Sequence, residues 1–241
     1  MEYLDYARLD GISKRDFLET KPFPWLSFPG ALTPEGYRTL LAELPDVAKF
    51  ERRFGYGRDH GQKGHDRYSL EYDESLDISP HWHAFVRELR SPRYRRFLRK
   101  MLGFRPMRLT YHWHYTPQGC AVSPHCDSSI KLGSHIFYLN TSEDWENDWG
   151  GQTVVLDDHG RFDCRSAPAF DELDEVASSQ TVGNYSFVFK RTPKSWHGVR
   201  AVQCPEGKLR KVFIVVVEKI RPVKTLRNKL RERFGAQPRA A

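Results

Sequence analysis

The chain has 241 residues, enough for one large domain, and six Trp, 11 Tyr and 15 Phe supply bulk for a sizeable core despite 29% charged residues. No apolar run reaches 18 residues, which excludes a membrane-spanning helix, and the opening Met1-Glu2-Tyr3-Leu4-Asp5-Tyr6 lacks the basic and apolar regions of a signal peptide. The net charge of +7 is unevenly placed: nine Arg/Lys against Glu88 lie between Ala84 and Arg108, eight against Glu232 lie between Lys219 and Ala241, and the remainder is acidic. That patchwork argues against nucleic-acid binding. Cys120, Cys126, Cys164 and Cys204 show no CxxC spacing, so reduced, mostly buried thiols in a cytoplasmic protein are expected.

Residues 1–32 carry scattered apolar positions and several prolines and read as an irregular lead-in. Thr33-Pro34 opens a helix, with Thr as N-cap and Pro at the first helical position; Tyr37, Leu40, Leu41 and Leu44 follow at helical spacing, and Pro45 closes it. Residues 50–75 are Gly-rich and charged, with little periodicity before Tyr68-Ser69-Leu70-Glu71-Tyr72; they read either as a loop over a site or as an ordinary surface loop. Ser79-Pro80 and Ser91-Pro92 start two more helices, the second striped by Tyr94, Phe97, Leu98, Met101 and Leu102 and stopped by Gly103. Beyond it, short apolar or alternating runs at 107–115, 121–127, 133–140, 152–157, 184–190, 197–203 and 209–219 predict an antiparallel sandwich or barrel. A basic helix over about 223–234 ends the chain.

His125-Cys126-Asp127 is the one place where a histidine is followed two positions later by an acid. On a strand the two side chains share a face, roughly 6–7 Å apart at Cα, and could offer two cis ligands to a metal. A site that binds substrate and activates a gas needs few protein ligands and several open positions, as two histidines and one carboxylate on one octahedral face provide. His197, in Ser195-Trp196-His197-Gly198-Val199, fits as the second histidine. Arg210 opens the apolar strand Val212–Val217 and needs an anionic partner there, such as a dicarboxylate held by its fork; Lys208 and Lys211 are the neighbouring alternatives. His112 and His114 would face away from Tyr115 and are a weaker His-x-His alternative, and His135 reads as structural or substrate-adjacent.

Over roughly residues 105–218 the sequence resembles the prolyl 4-hydroxylase-like branch of the 2-oxoglutarate/Fe(II) dioxygenases. The resemblance rests on an ordered series: Tyr115 and Gly119, His125-Cys126-Asp127, Ile136-Phe137-Tyr138-Leu139-Asn140, Gly150-Gly151, Gly183, His197-Gly198-Val199, then Arg210. It implies a mainly β fold with flanking helices: residues 1–104 as a helical and irregular segment, 105–220 as a double-stranded β-helix core, and 221–241 as a basic helical tail. It implies Fe(II) on His125, Asp127 and His197. It further implies 2-oxoglutarate paired with Arg210 and hydrogen-bonded by Tyr138, Tyr115 beside both, O2 as oxidant, and ascorbate as a stimulant. Tyr138 and Tyr115 also read as core aromatics, and Gly150-Gly151 as a demand of backbone geometry.

The implied activity is hydroxylation of an unactivated C–H bond in a small molecule, peptide or protein, with release of succinate and CO2. Demethylation, desaturation or ring closure on the same fold, and a non-catalytic binding module, are the alternatives. The acidic segments 142–148 and 157–175 are expected to edge the entrance and to favour neutral or cationic substrates, and the basic tail to contact an acidic partner or another subunit.

Overall fold

The computed structural model describes residues 1–57, 62–63, 65–103 and 105–220. Two antiparallel sheets form the double-stranded β-helix. The larger has the order β1 (Trp25–Pro29), β9 (Tyr185–Lys190), β6 (Lys131–Tyr138), β11 (Leu209–Lys219), β4 (Met107–Pro117), β3 (Arg67–Glu71), β2 (Glu51–Arg53). The smaller has the order β5 (Val122–His125), β10 (His197–Val199), β7 (Val154–Asp157), β8 (Asp174–Ser178).

Alternation along the larger sheet decides which residues meet which layer. Phe213, Val215 and Val217 of β11, Tyr111, Trp113 and Tyr115 of β4, and Phe137 of β6 pack into one core with Trp82 and Phe85 of α4 (Pro80–Leu89) and Tyr94, Phe97 and Leu98 of α5 (Pro92–Leu102). The opposite face, with Arg210, Val212, Ile214 and Val216 on β11, His114 on β4 and Ser134 and Ile136 on β6, lines a cavity shared with the smaller sheet. The helices start as the capping signals require. The Ser79 hydroxyl accepts from the His81 N–H, Ser91 from the Tyr94 N–H and, in α3 (Pro34–Ala42), Thr33 from the Gly36 N–H. Gly103, at φ +105°, ends α5.

The lead-in is more ordered than its composition predicts. It forms α1 (Tyr6–Gly11) and α2 (Lys14–Glu19), capped by Asp5 and Ser13, and then β1, which pairs with β9 from Trp25↔Phe189 to Pro29↔Tyr185. Six-residue helices are too short to show a period, and an edge strand whose partner lies about 160 residues away leaves no local signature. The edge strand β8 escapes detection because it is acidic and largely exposed, with no apolar alternation to read. Residues 50–75 contribute β2 and β3, which extend the larger sheet beside β4. The basic helix expected over 223–234 lies outside the described residues. Among the described residues no helix is long and apolar enough to cross a membrane.

Candidate metal and co-substrate site

His125 ends β5 and His197 begins β10, and the antiparallel register sets them directly opposite each other. Their ring centroids are 4.4 Å apart. Asp127, two residues past His125, brings its Oδ1 to 3.8 Å from His125 Nε2. One ligand atom from each of the three lies within 4.8 Å of the others, and all three side chains are buried. In both histidines Nδ1 donates to a main-chain carbonyl two residues back, Ser123 O and Ser195 O, each at 2.9 Å. A carbonyl can only accept, so the proton sits on Nδ1 and the Nε2 lone pair is left to ligate. Donor type, tautomer and spacing thus fit a divalent iron with open positions. Gly198 lets the strand pass: a Cβ there would stand 2.7 Å from Val122 O and 2.9 Å from Phe170 Cζ.

A cavity of about 560 Å³ opens from this triad, and Arg210 lies on its wall, 4% exposed. Burial lowers the guanidinium pKa, against the opposing influence of Tyr138, yet no carboxylate among the described residues forms an ion pair with it. Its Nε donates to Gly151 O, and its guanidinium lies over the Tyr138 ring, 5.6 Å from the centroid. Lys211, one alternative, points away and pairs with Asp144 at 2.6 Å. A buried cation without an internal counter-ion at the end of a cavity suits a carboxylate ligand.

Tyr138 backs this corner without lining the cavity. Its hydroxyl donates to Thr153 Oγ1 at 2.8 Å and lies 2.6 Å from Ser179 Oγ. Because the Tyr138 proton goes to Thr153, Ser179 donates to Tyr138, and the Thr153 hydroxyl keeps its own proton for the cavity that it lines. Tyr115, expected beside the metal, is on the other face of β4. Its ring stacks on Phe50 at 4.3 Å between centroids, and its hydroxyl donates to Pro45 O. The strand period places His114 on the cavity instead, kept neutral chiefly by burial and further by Arg67. His135 is buried among the helices, 2.9 Å from the Tyr94 hydroxyl.

The acids of the two acidic segments do not line the cavity, although Ala167, Pro168, Ala169 and Phe170 of the second segment border a depression that adjoins it at Tyr56 and Gly57. Asp144 is held by Lys211, Asp158 accepts from the N–H groups of Gly160 and Phe162, and the acids that do line the wall are Asp127 and Glu51. Residues that motif reading missed include Thr153, Lys131, Arg53, Arg67 and His65, whose ring is 4.7 Å from that of His125.

Residues 110–216 match the 2OG-Fe(II) oxygenase superfamily profile. That stretch carries the match to the 2-oxoglutarate/Fe(II) oxygenase superfamily, and the fold is prolyl 4-hydroxylase-like. The superfamily's cofactors are Fe(II), 2-oxoglutarate and O2. The fold is similar to that of a prolyl 4-hydroxylase from Pseudomonas putida (17% identity, TM-score 0.59, covering 86% of this chain and 97% of that one). It is also similar to a Trichoplax adhaerens prolyl hydroxylase solved with a hypoxia inducible factor peptide fragment (10%, TM-score 0.60, 89% and 90%). A third similar structure is the α-ketoglutarate-dependent carbocyclase SnoK from nogalamycin biosynthesis (14%, TM-score 0.59, 88% and 85%). Comparison with curated protein sequences gave no match.

Proposed function

We propose that this oxygenase is a hydroxylase, inserting one oxygen atom of O2 into an unactivated C–H bond while 2-oxoglutarate becomes succinate and CO2. The observation that carries the reading is the convergence of His125, Asp127 and His197 on one wall of the cavity that also holds the uncompensated Arg210.

His125, Asp127 and His197 would hold Fe(II) on one face. Iron with 2-oxoglutarate and O2 supplies an oxidant strong enough to break an unactivated C–H bond. Arg210 would take the distal carboxylate of the co-substrate, with the Thr153 hydroxyl as a further donor oriented through Ser179 and Tyr138. Val212, Ile214 and Phe189 line the same cavity and keep water from the reacting end. Ascorbate is proposed as a stimulant that restores iron to the ferrous state. The fold likeness to SnoK keeps ring closure as the second reading.

Untargeted mass spectrometry of metabolite pools incubated with enzyme, Fe(II), ascorbate and 2-oxoglutarate tests the proposal. A product that gains one oxygen atom, formed with succinate, is expected; one that only loses two hydrogens favours ring closure or desaturation. Succinate release that survives Asp127→Ala rules out the proposed iron site.

A further inference from the structure

The strand β5 separates two hollows. Val122 and His125 line the cavity of the triad, whereas Ser123 and Pro124 line a second depression of about 690 Å³, and the two hollows meet at Tyr56 and Gly57. Much of the second wall is small or apolar: Ala121 and Pro124 at β5, Pro168, Ala169 and Phe170 ahead of β8, and Ala201 past β10. Tyr56, 61% exposed at the shared mouth, offers a ring with an apolar face and a polar tip.

The polar groups of the second hollow are engaged elsewhere. Arg200 forks onto Glu175, with Nε at 3.0 Å and Nη2 at 2.8 Å, and lies over the Phe170 ring at 4.8 Å. Asp66 accepts from the Gly55 N–H and stands against Lys63, which is exposed. Among the described lining residues the charges therefore cancel. Gln62 donates to Ser166 O, and the Ser123 hydroxyl donates to Lys63 O. The main-chain donors are taken as well: Gly119 N–H goes to Val202 O, Cys120 N–H to Pro117 O and Ala169 N–H to Glu172. Pro124 and Pro168 have none to give. An extended peptide would find few partners along this wall, whereas an apolar body needs none.

We infer that the second hollow receives the body of the substrate, a neutral small molecule with an apolar ring system or chain, while its reacting carbon reaches the triad past Tyr56. The inference rests on the oxygenase reading above and deepens it. Each hollow has the volume of a complete small-molecule site, so the first suffices for 2-oxoglutarate with the reacting end and the second for the rest. The preference for neutral or cationic substrates expected from the acidic segments narrows to neutral, because the hollow presents no net charge.

The test has two arms. In the first, cell metabolites are sorted by reversed-phase and ion-exchange chromatography, and succinate release by the full-length enzyme with Fe(II) and 2-oxoglutarate is measured in each fraction. Stimulation is expected in material that the reversed phase retains and neither exchanger binds; stimulation confined to charged or unretained polar fractions overturns the inference. The second arm reads thermal stabilisation, without O2, of protein holding Fe(II) and 2-oxoglutarate. The probes are 2-naphthylmethanol, its anionic counterpart 2-naphthoate and an end-blocked proline-containing hexapeptide. The neutral probe is expected to stabilise most. Ala201→Trp and Ala169→Trp, both at exposed positions, fill the hollow and are expected to abolish that increment while keeping the shift given by Fe(II) and 2-oxoglutarate, which reports an intact fold. A larger shift with the peptide or the anion, or an increment unchanged in both variants, overturns the inference. If Fe(II) and 2-oxoglutarate do not stabilise the wild type, it is the oxygenase reading that fails; if they do and the neutral probe does not, this inference alone fails.

Discussion

Gly151 packs against the side chain of Arg210: a Cβ built on it would stand 3.0 Å from Cδ and 3.3 Å from Cγ, while its carbonyl accepts the Nε proton. Its φ of +86° is one that side-chain-bearing residues adopt only under strain. Gly151→Ala therefore both pushes the guanidinium and strains the loop, the latter costing roughly 1–3 kcal/mol. The KM for 2-oxoglutarate is expected to rise about tenfold or more, with Fe(II) affinity little changed. Titrating both ligands into the variant checks this, and an unaltered 2-oxoglutarate affinity counts against Arg210 as the co-substrate anchor.

Removing a metal ligand has a different signature. His125→Ala, Asp127→Ala and His197→Ala each take one donor from a set whose atoms lie within 4.8 Å of each other. Each is expected to abolish succinate formation and the thermal stabilisation given by Fe(II). Arg210→Gln is expected to retain the iron-dependent shift and lose only the increment due to 2-oxoglutarate. Differential scanning fluorimetry with each ligand alone and with both distinguishes the two classes.

The alternating runs after Gly103 already mark most strands of the two sheets, and the His125/Asp127 spacing with a late histidine marks the triad, because strand period and metal chemistry are local signals. What escapes the sequence depends on long-range register. That Thr153 stands between Tyr138 and the cavity follows from the approach of β6, the start of β7 and the end of β8. That Arg53 faces Arg67 follows from a hairpin whose strands are three and five residues long. The acidic segments misled for a related reason. Charge along the chain says nothing of which way a loop turns, and Asp144 turns to Lys211.

The two tyrosines implied by the resemblance are expected to behave differently on losing their hydroxyl groups. Tyr115→Phe removes a bond to Pro45 O on the helix-packed face, so stability falls by about 1 kcal/mol and the KM for 2-oxoglutarate stays near the wild-type value. Tyr138→Phe breaks the Ser179–Tyr138–Thr153 series beside Arg210, and the KM for 2-oxoglutarate is expected to rise several-fold. Steady-state kinetics paired with urea unfolding checks both; a larger kinetic effect for Tyr115→Phe would reverse the assignment.

His135 gives the fold a definite pH dependence. Its ring is fully buried, stacked on Phe28 and Tyr94 and packed on Phe97 and Phe137, and desolvation pulls its pKa down to about 3. In the unfolded chain an ordinary histidine titrates near 6.5. Between those values the unfolded state binds a proton that the folded state refuses, so stability rises with pH across that window and falls on acidification. The slope approaches about 1.4 kcal/mol per pH unit well inside it. His135→Phe strands the Tyr94 hydroxyl, making the variant less stable at pH 7 by roughly 1–3 kcal/mol, but it removes the titrating group. The difference in unfolding free energy between wild type and variant is therefore expected to narrow steadily from pH 7 to pH 4.5 in urea titrations, and a constant difference would show that His135 is protonated in the fold.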